Sequence, residues 1–258
     1  MEFTFTDEQL MIAETAKAFF SENATSERTR KAMAADGVDH ALWESFCTEL
    51  GLAGIGLPEA AGGAGLGMVE FAIIAEAAGA QVSALPLLGL ATVAQAIATG
   101  GSDAQQAEHL PNLISGATIA AFAEGQGLSL AGGKLSGTAQ FVPHGAVAGL
   151  FLLAQGDAAW LVKADAPGLT VKAHVTMDQT RPFASLHLDG VAAEPLANPV
   201  AAVAAARAGG WISLSAEALG GAQATLDRTV AYAKERVQFG RAIGSFQAYK
   251  HRLADMMV

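Results

Sequence analysis

One stretch near the end of the 258-residue chain constrains its fold more than any other. Ala231-Tyr-Ala-Lys-Glu-Arg-Val-Gln-Phe-Gly240 continues an apolar stripe that runs back through Thr229, Leu226, Ala222, Leu219 and Leu214. That spacing predicts one long amphipathic helix. Gly240 suits the left-handed residue that closes a helix, with Lys234, Arg236 and Arg241 around the negative end of its dipole. A short turn over 241–244 follows, and Ser245 is placed to cap a second helix. On helix chemistry alone the same residues also describe an ordinary helical hairpin with solvated basic side chains.

The rest of the chain falls into blocks. Thr6 followed by Gln9 reads as a capping box, and Leu10, Ala13, Ala16 and Phe20 recur on one helical face. The polar segment 21–30 fits either more helix or a loop. Asp39 is placed to cap a helix with the face Leu42, Phe46 and Leu50, closed by Gly51. Residues 52–67 carry too much glycine for a helix interior and predict a loop. Helical patterns resume over 69–79 and 91–98, and Asp103 is placed to cap a short helix ending near Pro111. After Ser115 the pattern changes to short apolar runs at 118–123, 138–142, 150–154, 159–162, 169–173 and 184–188. Glycine, proline or aspartate separates them, which predicts a meander of strands. From Pro199 the alanine-rich helical pattern returns. Helix, then β, then helix indicates an α+β multidomain protein. Its expected parts are an N-terminal helical domain (1–116), a middle β-barrel-like domain (117–198) and the first helices of a C-terminal helical bundle (199–258).

Composition removes several classes of function. A net charge of −10 leaves nothing to neutralise phosphates in series, so no nucleic-acid partner is expected. The single cysteine, Cys47, cannot form an internal disulfide, and a reducing cytoplasm is the default location. The opening Met1-Glu-Phe-Thr-Phe-Thr-Asp-Glu lacks the basic and apolar regions of a signal peptide. The longest apolar run, 85–98, is interrupted by Pro86, Thr92 and Gln95, so no membrane span is expected. Gly54-Ile-Gly56 and Gly63-Ala-Gly65-Leu-Gly67 lack the spacing and preceding strand of a dinucleotide site, and no P-loop is present. His40, His109, His144, His174, His187 and His251 form no ligand spacing, so no metal is expected.

Taken as one string, Arg236-x-Gln-Phe-Gly240, Ile243, Phe246-Gln247 and Leu253-Ala-Asp-Met256 resembles the signature of the acyl-CoA dehydrogenase family. Three further stretches agree: Leu50-Gly51 through Pro58-Glu59 to Gly62-Gly63-x-Gly65, then Glu70 and Glu76; Met177-Asp-x-Thr-Arg-Pro-Phe183 through Asp189-Gly190-Val191; and Ala216-Glu217-Ala-Leu-Gly220, which resembles the start of the long helix. The resemblance implies FAD-dependent α,β-dehydrogenation of an acyl-CoA thioester, with electrons passing to an electron-transfer flavoprotein or similar acceptor. It implies a homo- or hetero-oligomer, dimeric or tetrameric. In this family Arg236 and Gln247 would bind the FAD of a neighbouring subunit and Phe239 would pack on it. Gln238, Ile243 and Phe246 belong to the same string, and Phe122, Ala123 and Phe141 fall at flavin positions of the β domain. A guanidinium suits a pyrophosphate, and an amide can both donate and accept.

The same resemblance exposes departures. One group of members carries its catalytic glutamate where this chain has Gly210, and the larger group carries it past Val258. Glu217, two turns from Gly210, is the candidate left in this chain, although many members hold glutamate there without using it as the base. The usual Thr-Glu-Pro segment is here Ala123-Glu-Gly125. Where an Ile-Thr-Asn strand end is usual stands Val142-Pro-His144, so Pro143 offers neither hydroxyl nor N–H. This pattern is similar to bacterial members built from two unlike subunits, which often act on bulky CoA esters such as sterol side chains and ring-containing acids. The alternative is a catalytically inactive partner or scaffold without its own flavin and base. Family members continue past Val258 to complete a four-helix bundle, so either the chain is a fragment or a partner supplies the remainder and covers its apolar stripe.

Overall fold

A reciprocal pair of hydrogen bonds starts the first helix. Thr6 Oγ1 accepts from the Gln9 N–H at 3.2 Å, and Gln9 Oε1 accepts from the Thr6 N–H at 3.0 Å. α1 (Asp7–Asn23) follows from this capping box. The computed structural model describes residues 4–257, so Met1-Glu-Phe, the start of the stretch without signal-peptide character, lies outside the described residues. Segment 21–30 breaks in the middle, with Thr25 capping α2 (Ser26–Met33). Asp39 caps α3 (His40–Glu44) through the Leu42 N–H at 3.0 Å, and Arg28 donates to the same carboxylate at 2.6 and 2.7 Å. A π-helical turn (Ser45–Glu49) then leads to Gly51 in the left-handed region, φ 65°. Across the glycine-rich loop lies α4 (Met68–Ala80), whose Glu70 accepts from Gln9 of α1 at 2.7 Å. α5 (Leu87–Gly89), a second π-helical turn (Leu90–Ala94) and α6 (Gln95–Gly100) run on as one rod.

α7 (Asp103–Ile114) departs from expectation at both ends. Its cap is Ser102, which forms a second capping box with Gln105. The helix also passes through Pro111, because buried Leu110 and Leu113 anchor the turns on either side of the missing N–H.

The strands are β1 (Ala120–Glu124), β2 (Gln126–Ala131), β3 (Lys134–Pro143), β4 (Leu150–Gln155), β5 (Ala158–Lys163), β6 (Leu169–Ala173), β7 (Phe183–Ala192) and β8 (Glu194–Pro195). They form two four-stranded sheets, ordered β1-β4-β5-β8 and β2-β3-β7-β6. The expected meander is therefore corrected: β1 pairs with β4 in parallel, and β3 pairs with β7. Apolar runs mark strands but not their partners, since pairing is decided by which faces must be covered. Leu135, Leu186 and Val191 of one sheet meet Phe151, Leu153 and Val162 of the other. The opposite face of β4, Leu150 and Leu152, packs on the helices. Burial on both faces explains why β4 reads as a continuous apolar run.

The long helix α8 spans Pro199–Glu235, capped by Asn198 with proline in its first turn. Ala216 to Gly220 thus lies mid-helix and does not start it. The buried face is one of small residues: Ala202, Ala206, Gly209, Gly210, Ser213 and Gly220. Leu214 and Leu219, two residues of the stripe anticipated from sequence, are exposed to either side of that face. The predicted end at Gly240 is also corrected. α8 stops at Glu235, and β9 (Val237–Gln238) and β10 (Arg241–Ala242) form a hairpin. Phe239 (φ 53°) and Gly240 (φ 76°) are both left-handed, as a two-residue hairpin turn requires, whereas a helix closure needs one such residue. The Ile243 N–H donates to the Arg236 carbonyl at 2.8 Å and closes the hairpin. Ser245 ends a 3₁₀ turn (Ile243–Ser245), and α9 (Gln247–Asp255) begins after Phe246.

Candidate functional site

Strand alternation sends Phe122 and Glu124 of β1 to one side and Ala123 into the core between the sheets. On the side of Phe122 and Glu124 a cleft of about 280 Å³ opens where the three blocks meet. Leu88 and Thr92 form one wall. Phe122, Glu124 and Pro143 form the second, and Arg207, Gly210, Trp211 and Leu214 of α8 the third. The lining is mostly apolar. Arg207 Nε donates to Glu124 Oε1 at 2.6 Å, both side chains being half-exposed. Such a pair contributes less than about 1 kcal/mol to stability. Among the described residues Glu124 is the one carboxylate lining this cleft, and Gly210 places no functional group in it.

A second cleft of about 340 Å³ lies further along α8, with Leu214 lining both. Glu217 belongs here, not to the first cleft. Its carboxylate pairs with Arg181 and accepts from Ser213 Oγ at 3.2 Å, so both oxygens are engaged. The arrangement ties the β6–β7 loop to α8. Asp178 lines the same cleft. Burial opposes its charge, but hydrogen bonds from Thr180 outweigh that and hold the carboxyl below its usual range.

Left-handed backbone occurs at a few side-chain-bearing positions. Among the described residues the positive-φ positions other than glycine are Val82, Phe141, His144 and Phe239. Val82 lines the second cleft. Phe141 sits where β3 shifts register against β7 and stacks on His174 at 5.9 Å. Such conformations cost about 1–3 kcal/mol each and cluster at binding sites.

The hairpin presents the residues expected to reach a neighbour's flavin. Phe239 is 92% exposed. Arg236 and Gln247 are exposed, and Arg236 forms no ion pair among the described residues. Phe246 holds Phe239 edge-on at 6.3 Å and carries the Arg241 guanidinium 4.0 Å over its ring. Gln238 is tied to the hairpin, donating to the Val237 carbonyl at 3.0 Å, and Ile243 is half-buried. A free guanidinium, an open aromatic face and an amide fit a nucleotide held from outside. The chain's own β-domain half does not fit: Ala123 is buried away from the cleft, Pro143 lacks an N–H, and Phe141 stands outside the cleft lining. Glu124, Arg207, Trp211 and Leu214 were not singled out as cleft residues by sequence reasoning. The one available signal was the position of Glu124 between Ala123 and Gly125.

A helical block, two packed four-stranded sheets and a long helix, meeting at one cleft beside an exposed arginine hairpin, define an acyl-CoA dehydrogenase fold; the chain belongs to the acyl-CoA dehydrogenase family. The family's N-terminal domain profile matches residues 6–117 and its C-terminal domain profile residues 201–258. Over 253 residues the chain is 34% identical to acyl-CoA dehydrogenase IpdE2 of Mycolicibacterium smegmatis, covering 98% of this chain and 73% of that protein. Among solved structures it resembles the ChsE4-ChsE5 complex from Mycobacterium tuberculosis, with TM-score 0.87, 31% identity, and coverage of 99% of this chain and 74% of that one. It also resembles the Tcur3481-Tcur3483 steroid ACAD G363A variant, with TM-score 0.86, 33% identity, and coverage of 96% and 73%.

Proposed function

We propose that this chain is one subunit of a two-component acyl-CoA dehydrogenase, contributing the Arg236–Gln247 contact to a flavin seated mainly on another polypeptide. The observation that carries the reading is the contrast between the open hairpin and the cleft around Gly210, where no free carboxylate stands. FAD, when bound, supplies the two-electron acceptor for α,β-dehydrogenation of the thioester. Arg236 holds phosphate as a charge-assisted donor, Phe239 offers its ring face, and Gln247 donates or accepts through its amide. In the cleft, Phe122, Leu88 and Trp211 exclude water around an apolar acyl group, and the Glu124–Arg207 pair spans the rim. The α-proton is removed by a partner's carboxylate, because Glu217 is committed to Arg181 and Ser213. Two structural relatives carry paired names, ChsE4-ChsE5 and Tcur3481-Tcur3483, which supports the two-chain reading.

Co-expression with an adjacent dehydrogenase-like gene tests the proposal. A yellow complex that reduces a dye with acyl-CoA is the expected result. A stable complex without flavin absorbance sinks it and favours the scaffold reading, which Ala123 and Pro143 support.

A further inference from the structure

The two clefts lie one after the other along α8 and share one lining side chain, Leu214. Positions 206–218 span about 18 Å of helix axis. The residues facing the groove recur at three- and four-residue steps: Arg207, Gly210, Leu214 and Glu217. The opposite wall is continuous too, running from the end of α4 through Leu85 and Leu87 to Thr92. Only Leu214 belongs to both halves, and it is 39% exposed, so its isobutyl group stands in the groove and is not locked into the core. The halves differ in chemistry. The near one, by Phe122 and Trp211, is apolar. The far one carries Arg181, Asp178 and Thr180.

We infer that Leu214 is the specificity-determining partition of the acyl groove: it limits how far an acyl group passes from the Gly210 end, and the far half receives a hydrogen-bond acceptor on the end of a long acyl body. This rests on the reading of the first cleft as the acyl site. Removing the partition joins two volumes of about 280 and 340 Å³ without touching the thioester end. An acyl chain crossing the gap buries further methylenes, each stabilising binding by about 0.8 kcal/mol. A terminal hydroxyl then accepts from an Arg181 N–H other than the one given to Glu217, whereas a terminal carboxylate would meet Glu217 and Asp178 in the same half.

Trp211 provides a readout independent of turnover. It is 68% exposed and lines the near half, whereas Trp43 and Trp160 are buried. The full chain, and its complex if one forms, is titrated with octanoyl-CoA, dodecanoyl-CoA, 12-hydroxydodecanoyl-CoA and free CoA while tryptophan emission is followed. W211F identifies the signal. In L214A the affinity ratio of dodecanoyl-CoA to octanoyl-CoA rises about tenfold over wild type, and in L214F it falls below wild type. In L214A 12-hydroxydodecanoyl-CoA binds more tightly than dodecanoyl-CoA. Octanoyl-CoA binding with ratios indifferent to position 214 overturns the partition. Equal binding of the two long esters overturns the polar far end. No response to octanoyl-CoA beyond that to free CoA overturns the acyl-site reading itself, and the partition with it.

Discussion

His144 shows what one buried side chain can impose. It is 2% exposed, its backbone is left-handed at φ 54°, and neither ring nitrogen has a hydrogen-bond partner among the described residues. Burial, reinforced by the Arg181 charge and opposed by Asp36, pushes its pKa down to about 4 from 6.5. The folded state therefore resists a proton that the unfolded chain accepts near pH 6.5. Stability is complete above that pH and declines as pH falls from 6.5 toward 4, by on the order of 3 kcal/mol. Denaturation midpoints measured across this window should show the decline in the wild type and lose most of it in His144→Leu. Glu217 makes the opposite case, a charge kept because it is paired. Glu217→Gln should lower the melting temperature by loosening the Arg181 contact while leaving turnover of a reconstituted complex within a few-fold. A loss of about 10²-fold or more would instead restore it as a general base.

At the scale of elements, the α4–α8 crossing is set by glycine. A Cβ on Gly220 would stand 1.9 Å from the Glu76 carbonyl oxygen, and one on Gly79 would stand 2.1 Å from that of Glu217. The backbones touch because neither helix has a side chain there. Gly220→Ala must push the helices apart and should destabilise the fold by about 1–3 kcal/mol in denaturant unfolding. Gly221→Ala, whose Cβ meets only an ordinary 3.7 Å contact, should instead stabilise α8 by about 0.5–1 kcal/mol. If the two variants behave alike, close packing is not what Gly220 provides. The crossing also explains a misread pattern. Leu214, Leu219 and Leu226 stand out in the sequence as the apolar stripe, yet the face that packs is built from alanine, glycine and serine, which carry little hydropathy signal. The capping box at Thr6 and the cap at Asp39 were legible because their partners lie three residues away.

For the molecule as a whole, the proposed function makes the exposed hairpin and the cleft two part-sites that another polypeptide completes. Arg236→Ala removes a charge-assisted contact worth roughly 1.5–3 kcal/mol, so the assembled complex should bind flavin about 10–100-fold less tightly. Flavin absorbance per complex after gel filtration measures this. Unchanged flavin content would remove the basis for assigning the hairpin to a neighbour's cofactor. The exposed apolar side of α8, with Trp211 and Leu219, is consistent with burial in the same assembly.

What the sequence determined by itself was local: helix starts, strand runs, the order of the blocks, and the string from Arg236 to Gln247 that carries the family. These follow from periodicity, capping and fixed spacing, which act over a few residues. The tertiary structure alone decided which strands pair, which face of α8 is buried, that Phe239 and Gly240 turn a hairpin, and that Glu217 is spent on Arg181, thirty-six positions away. It also brought Glu124, Arg207 and Leu214 to one groove. Those outcomes depend on surfaces that meet only when distant segments compete for the same partners, and no short-range pattern records that competition.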